Sequence, residues 1–594
     1  MAAGGTGRRQ AGTGAARKVN TKGRVMLIAA LLALGYIGIT ARLVYLQVIR
    51  QSDLAAMASR QQTEVADLPP RRGTIYDRNG HELAVSMDAK SLYGVPANSE
   101  DPLGAARRLA PILGMDAGEL ADRLSGGRKF VWLARKVDPG VPDRIDAAGL
   151  PPKLTGWLPD SRRYYPKKAL AAHVLGFTGT DSKGLEGLEA SYEVYVGGIA
   201  GQAAVEKDGS GKDVLSIEEG YVAPKPGCDV TLTIDEKVQY IAEKELDRIM
   251  AEFSPISATA IVMDPNTGEV LAMANRPGFN PNSWQGTKAD NWRNRAVTDP
   301  YEPGSTFKLV TAAAALEEGI YRPSDTVNRG ENQIEVGGRI IHNSHKEENP
   351  KSLTFSEVIQ KSDNVGTVKI ALRLGDDRLH GYAQAFGFGA KTGVDLPGEN
   401  PGLLRDVKDW SGVSIASVAF GQEVSVTPLQ VLTAVNCIAN GGWYCEPYIV
   451  SEVRSADGTV LMKKQPNRLR RVVSGATAKT MTKIMSTVVE EGGTALEANI
   501  RGYQVAGKTG TAQKFDPAIR RYSKEKFMSS FVGFVPAESP KVSILVVVNE
   551  PHGQHYGGLV AAPAFRSIAL GALTYMKVPT RMPEQTVLVE GQGR

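Results

Sequence analysis

From Val25 to Ala41 the chain reads VMLIAALLALGYIGITA, a run without a charge, and after Arg42 the apolar segment LVYLQVI carries on to Ile49. A helix needs about 17–25 apolar residues to span a bilayer, and a long basic side chain at its end can snorkel to the interface. The pattern predicts one transmembrane signal-anchor helix over 25–49. A cleaved signal peptide and a buried core helix are the plainer alternatives. The apolar run is long for a signal peptide, and no small-x-small cleavage site stands out. Residues 1–24 hold Arg8, Arg9, Arg17, Lys18, Lys22 and Arg24 and no acid, among Gly, Ala and Thr. This composition predicts a disordered basic tail on the cytoplasmic side, with the rest of the chain outside.

Past the anchor the pattern turns to short alternating runs. RRGTIYDRNGHELAVS (Arg71–Ser86) predicts two short strands joined at Asn79-Gly80, a pair that tolerates the positive φ of a tight turn. DVTLTIDEKVQYIAEKELDRIM (Asp229–Met250) predicts a strand running into an amphipathic helix. ATAIVMDPNTGEVLAMA (Ala258–Ala274) predicts a hairpin around Asp264–Gly268. QVAGKTGTAQ, MSSFVGFVP and VSILVVVNE add strands near the other end. Strands at both ends with helices between predict an α/β (α+β) domain with a largely antiparallel sheet. Ala223-Pro224-Lys225-Pro226-Gly227 reads as a linker. The expected organisation is a basic tail (1–24), the anchor (25–49), a mixed, elongated pedestal (50–223), a catalytic domain (224–578) and a C-terminal tail (579–594).

Composition narrows the function. A chain of 594 residues with 42% hydrophobic and 23% charged residues is folded and holds two or three domains. A net charge of +6, without a basic stripe interleaved with aromatics, argues against nucleic acid as a partner. Cys228, Cys437 and Cys445 form no Cys-x-x-Cys pair and no zinc spacing. Cys437 and Cys445 could pair in an oxidising compartment; small buried hydrophobes are the plainer reading.

The candidate chemistry lies in three places. Ser305 and Lys308 sit in EPGSTFK, where Pro303-Gly304 breaks the chain and an Ala-rich helix follows. Positions i and i+3 share a helix face, so the Lys308 amine is expected to reach the Ser305 hydroxyl. A lysine serves as a base for a serine nucleophile when burial keeps it neutral. Alone the spacing is weak, since Ser523 and Lys526 repeat it in a charged stretch. Ser362-Asp363-Asn364 lies between two helical patterns as a tight turn, which plain helix capping would also explain. Lys508-Thr509-Gly510-Thr511 lies on a strand-like segment, where a lysine and two hydroxyls flanking a Gly can hold a carboxylate. Lys391-Thr392-Gly393 is a decoy in a Gly-rich turn. Gly502 to Thr509 also fits the G-x-x-x-x-G-K-T phosphate loop, but that loop must follow a strand and open a helix, and neither context is present.

S-x-x-K, S-D-N and K-T-G in this order are the signature set of penicillin-binding proteins and class A β-lactamases. The surrounding words EPGSTFK, SDNVG, GVDLPGE, VSVTPLQ, RRGTIYDRNGHELA and GLEGLE resemble a class B penicillin-binding protein, most of all the cell-division (septal) peptidoglycan transpeptidase. The resemblance implies a penicillin-binding/β-lactamase-like transpeptidase fold and a serine D-Ala-D-Ala transpeptidase in the cytoplasmic membrane. It implies that Ser305 attacks the penultimate D-Ala carbonyl of a peptidoglycan stem pentapeptide and Lys308 takes its proton. Ser362 then relays a proton to the leaving D-Ala, and Asn364 hydrogen-bonds the substrate backbone. Lys508, Thr509 and Thr511, around Gly510, hold the terminal carboxylate, and the N–H groups of Ser305 and Thr511 form the oxyanion hole. It further implies β-lactams as acylating ligands, no metal or organic cofactor, and a polytopic glycan polymerase and other division proteins as partners.

Two positions depart from the family pattern: Asp363, where division enzymes often carry Ser, and Glu423, where a Gly is expected. Three rivals are a side-wall elongation enzyme of the same class, a membrane-anchored β-lactamase, and a β-lactam or muropeptide sensor. The β-lactamase needs a water-activating Glu in a segment that Glu399-Asn400-Pro401 does not match, and the tail over 1–24 is short for a sensor's signalling domain. Arg71, Arg72, Asp77 and Glu189 read as structural, with an ion-pair cluster relaying partner signals as the alternative.

Overall fold

The computed structural model describes residues 21–51, 64–126, 130–207, 213–216, 222–330, 332–343, 351–516 and 520–580. The tails expected over 1–24 and 579–594 lie almost wholly outside these residues. The chain forms two compact units, 1–67 with 202–222, and 68–201 with 223–594.

In the first unit the apolar run is helical from Thr21 to Val44 and continues as a π-helical turn over Tyr45–Ile49. The helix over Lys22–Ile49 is long and apolar enough to cross a membrane, and none of its most apolar window is buried. Gly557–Tyr575 passes the same length test but is mostly buried, so it is a core helix. Glu64–Leu68, Gly201–Lys207 and Asp213–Ser216 make a three-stranded sheet in that order.

The second unit holds two large sheets. One orders its strands Val460–Lys463, Val450–Arg454, Asp229–Leu232, Ile75–Tyr76, Glu82–Gly94 and Val131–Val137, with Thr155–Tyr164 also paired to Glu82–Gly94. Asp229–Leu232 thus runs parallel to Ile75–Tyr76 and antiparallel to Val450–Arg454, so one sheet contains strands from both sides of the Ala223–Gly227 stretch. The expected hairpin turn is present, with Gly80 at φ +84°. Asn79 plays a different part from the one expected. The Asp77 carboxylate closes the turn by accepting the N–H groups of Asn79 and His81, both at 2.8 Å, and the Asn79 amide donates to Asp235 at 3.1 Å.

The second sheet, in the order Val270–Arg276, Ser257–Met263, Val542–Asn549, Arg521–Val535, Ala506–Asp516, is antiparallel throughout. Its central strands are near-continuous apolar runs because both faces are covered. Ile261, Met263, Leu545 and Val547 pack with Val310 and Leu429. The alternate residues Ala260, Val262, Val546 and Val548 pack with Leu246 and Phe565. Each fully buried Val, Leu, Ile or Phe contributes about 1.5–3 kcal/mol.

An ion-pair cluster does exist in the pedestal, with membership different from that expected. Arg72 and Arg163 each bond Glu189 at 2.6 Å, and Arg72 also bonds Glu193 at 2.7 Å. Arg71 instead donates to the Ser86 carbonyl at 3.0 Å, and Asp77 serves the hairpin turn. The RRYYP and GLEGLE segments supply Arg163 and Glu189. Asp395 of GVDLPGE ties this region to the catalytic part: it accepts the Tyr192 hydroxyl at 2.9 Å and the Ile449 N–H at 2.7 Å.

Candidate active site

Ser305 is placed by a turn that only a small residue can make. Gly304 has φ +54°, donates its N–H to the Gly421 carbonyl at 3.1 Å, and a Cβ there would lie 3.0 Å from that of Ala512. A 3-10 turn over Gly304–Phe307 then feeds the buried helix Lys308–Glu317. Ser305 is half-buried, and its hydroxyl has no hydrogen-bond partner among the described residues.

Lys308 does not bond Ser305 as the helix spacing suggests. Its Nζ donates to the Ser362 carbonyl at 2.6 Å, the Asn364 Oδ1 at 2.7 Å and the Ser362 Oγ at 3.3 Å. An ammonium has three protons and no lone pair, and these three oxygens use all three. Burial draws the Lys308 amine down to about 7, against the partial opposition of the Asp363 charge. Near neutrality the group loses a proton, and the lone pair so freed can accept the Ser305 hydroxyl.

Ser362 links helix Phe355–Gln360 to helix Asn364–Leu374 and sits at φ +55°. That left-handed conformation costs a non-Gly residue about 1–2 kcal/mol and marks a position held by its surroundings. Its hydroxyl accepts from Lys308 and, at 2.9 Å, from Lys508. Lys508 also donates to the Thr509 carbonyl at 3.1 Å and the Thr509 hydroxyl at 3.2 Å. Burial first, and the Lys308 charge second, hold Lys508 well below the ordinary lysine range.

The strand Ala506–Asp516 carries the remaining predicted residues. Thr511 Oγ1 accepts the Gly557 N–H at 3.0 Å and keeps its own proton to donate. Thr509 Oγ1 shares a hydrogen bond with Thr494 at 2.9 Å. Gly510 has no room for a side chain, since a Cβ would lie 2.3 Å from Ser530 Oγ. Asn364 turns its oxygen to Lys308 and donates one amide proton to the His342 carbonyl at 3.0 Å. All three motifs therefore converge, joined through the Ser362 hydroxyl.

The decoys lie elsewhere. Ser523 Oγ accepts the N–H groups of Glu525 and Lys526 in a turn. Thr392 donates its N–H to Glu399 at 2.6 Å, with Gly393 adding a second backbone bond, so this carboxylate is spent on a turn. Gly502–Thr509 runs into a strand, not a helix. The three thiols are free, and the buried Cys437 bonds the Thr433 carbonyl. Glu423, where Gly is expected, has a glycine-like φ of +59°. Its carboxylate is tied to Arg405 and to Ser414 at 2.7 Å, and its N–H donates to Glu302 at 3.0 Å. Glu302 also accepts the Tyr522 hydroxyl at 2.9 Å. Asn343 and Arg329 are neighbours of the motifs that no sequence spacing signals, because each meets its partner through the fold.

A half-buried serine at the head of a helix, a buried amine near neutrality, a bridging hydroxyl and a strand rich in donors together make a serine acyltransferase site. The comparisons with known proteins agree. Residues 258–570 match the penicillin binding protein transpeptidase domain, and residues 67–232 the penicillin-binding protein dimerisation domain. The chain belongs to the class B penicillin-binding proteins, and it is a serine D,D-transpeptidase. It is 36% identical to stage V sporulation protein D of Bacillus subtilis over 95% of this chain and 87% of that one. To peptidoglycan D,D-transpeptidase FtsI of Escherichia coli it is 33% identical, over 96% and 95%. Penicillin-binding protein 3 of Mycobacterium tuberculosis, solved with aztreonam, superposes with a TM-score of 0.69 at 29% identity, covering 88% of this chain and 99% of that one.

Proposed function

We propose that this enzyme cross-links peptidoglycan stem peptides during septal wall synthesis through an acyl-enzyme on Ser305. Ser305 Oγ attacks the penultimate D-Ala carbonyl while neutral Lys308 takes its proton. The tetrahedral oxyanion forms against the N–H groups of Ser305 and Thr511, where one such donor is worth about 2.7–4 kcal/mol in a comparable hydrolase. The carbon–nitrogen bond then breaks. Ser362 passes a proton to the leaving D-Ala amine and regains one from a neighbouring lysine, and the acyl group moves to an amine of a second stem. Lys508, Thr509 and Thr511 receive the terminal carboxylate, and Asn364 contacts the peptide backbone once it turns from Lys308. The observation that carries this reading is the buried Lys308, drawn to about 7, three positions after an accessible serine.

The septal role is supported by the relationship to FtsI. The basic residues before the apolar helix support an N-terminus in the cytoplasm and a catalytic domain outside it. Contacts with a glycan polymerase and other division proteins then fall to the anchor and the pedestal. The turn-bound Glu399 weighs against water activation, and with it against the β-lactamase alternative.

Mass spectrometry of the full-length protein after labelled penicillin tests the chemistry. One long-lived adduct on Ser305 is expected, lost in Ser305→Ala. An adduct undiminished in that variant overturns the reading, and rapid turnover of the penicillin favours the β-lactamase. Depletion tests the role: filamentous cells are expected, and round cells point to the side wall.

A further inference from the structure

Between helix Lys308–Glu317 and helix Phe355–Gln360 the chain makes an excursion containing two small ladders. Thr326–Asn328 pairs with Ser352–Thr354, and Gln333–Val336 with Arg339–His342. Two side chains of this excursion reach the Ser362–Asn364 turn. The Arg329 guanidinium pairs with Asp363 Oδ2, and each side chain is only 5% exposed. Asn343 donates to the same oxygen at 2.7 Å, and its own Oδ1 accepts the N–H groups of Asn364 at 2.7 Å and Val365 at 3.0 Å. The other Asp363 oxygen accepts the Gly366 N–H at 2.6 Å. The helix that begins at Asn364 is therefore capped twice, by its own Asp363 and by a residue from a distant strand end. Ser362 is held in its left-handed conformation immediately before this doubly fixed turn.

The charges around Lys308 give the arrangement a second consequence. Facing it are Lys508 from the strand and Asp363 from the turn, and Arg329 stands on the Asp363 carboxylate. We propose that Arg329 and Asn343 are positioning residues for the acyl transfer: Arg329 offsets the Asp363 charge that acts on Lys308, and Asn343 locks the turn that presents Ser362 and Asn364. The inference rests on the Ser305–Lys308 reading above. Asp363 favours the protonated amine. Without Arg329 that attraction acts unopposed, and less of the base is available at neutral pH. With Arg329 kept and Asp363 neutralised, the remaining guanidinium charge pushes the other way.

The rate of acylation by labelled penicillin, followed against pH on the full-length protein in detergent, separates this from a structural role. Arg329→Gln is expected to move the rising limb up by about one pH unit. Asp363→Asn is expected to move it down, and the double variant to bring it back close to wild type. Arg329→Lys, which keeps the charge, should leave the limb in place, and Asn343→Ala should lower the rate without moving it. Should Arg329→Gln not fold, the downward shift in Asp363→Asn decides. If Arg329→Gln and Asp363→Asn lose rate with the limb unmoved, the proposal is overturned. An adduct on a serine other than Ser305, visible in the same spectra, instead overturns the reading beneath it.

Discussion

Two clusters of charged side chains each have a fully buried centre, and the two centres behave in opposite ways. In the pedestal, Glu189 is 0% exposed, with one guanidinium on each carboxylate oxygen. Burial alone pushes its carboxyl up, but the Arg163 and Arg72 charges outweigh that and hold it below the usual range. In the crevice Lys308 and Lys508 are also 0% exposed, yet no carboxylate bonds either amine among the described residues. They share a serine hydroxyl and a few neutral oxygens, so burial outweighs the Asp363 charge on Lys308 and, with the Lys308 charge added, draws Lys508 toward the neutral form as well. Burial does not by itself decide whether a group keeps its charge; the sign and number of its partners do. One cluster is balanced, as a scaffold needs, and the other is left unbalanced, as the proposed chemistry needs.

The sharpest way to break the comparison is to remove the base. Lys308→Met should slow penicillin acylation about 10²–10⁴-fold. In the proposed mechanism the deprotonated amine is the active form, so the wild-type rate should climb as pH rises through about 7, the value to which burial draws Lys308. The variant should lose that climb, and a limb that persists near 7 would place the base elsewhere. Next in size, Glu189→Gln leaves two buried guanidinium groups short of their carboxylate and should cost about 3–5 kcal/mol of stability in denaturant melts. The pH limb should stay where it is, because this cluster does not touch the crevice; a moved limb would mean the two are coupled. The smallest effect is expected at a third, more open ion pair. Arg405 is 37% and Glu423 24% exposed, so solvent screens them. Glu423→Gly relieves a left-handed residue and gives up that pair, and thermal stability should change by less than about 1 kcal/mol. A loss well beyond that would show the Glu423 carboxylate to be a structural support of the Arg405 and Ser414 segments.

The candidate side chains that meet at the Ser362 hydroxyl are legible because each motif is local: a break followed by a helix, a turn between helices, a strand bearing a lysine and hydroxyls. The short strand-like runs bounded by turns likewise announce the antiparallel sheet, and its central strands are continuous instead of alternating because both faces are covered. What stayed hidden is whatever depends on partners brought from afar. Helical spacing put Lys308 within reach of Ser305, but three stronger acceptors from a turn beyond residue 360 occupy the ammonium. Arg72 and Glu189 belong to the four residues the sequence offers as an ion-pair cluster, whereas Arg163 and Glu193 do not, because nothing in RRYYP distinguishes a buried arginine from a surface one. Glu423 shows the limit of type-based reading: a glycine conformation is there, and a glutamate occupies it.

The strand Asp229–Leu232 has a mechanical consequence. With Ile75–Tyr76 on one side and Val450–Arg454 on the other, it is a tie-beam through which pedestal and catalytic halves share main-chain hydrogen bonds. A tug on the pedestal strands is then borne as shear along a ladder, which yields far less than a bending linker. A catalytic fragment begun at residue 224 would bare the flank of that beam where Ile75 and Tyr76 dock, so one begun ahead of Ile75 is the sounder piece to purify.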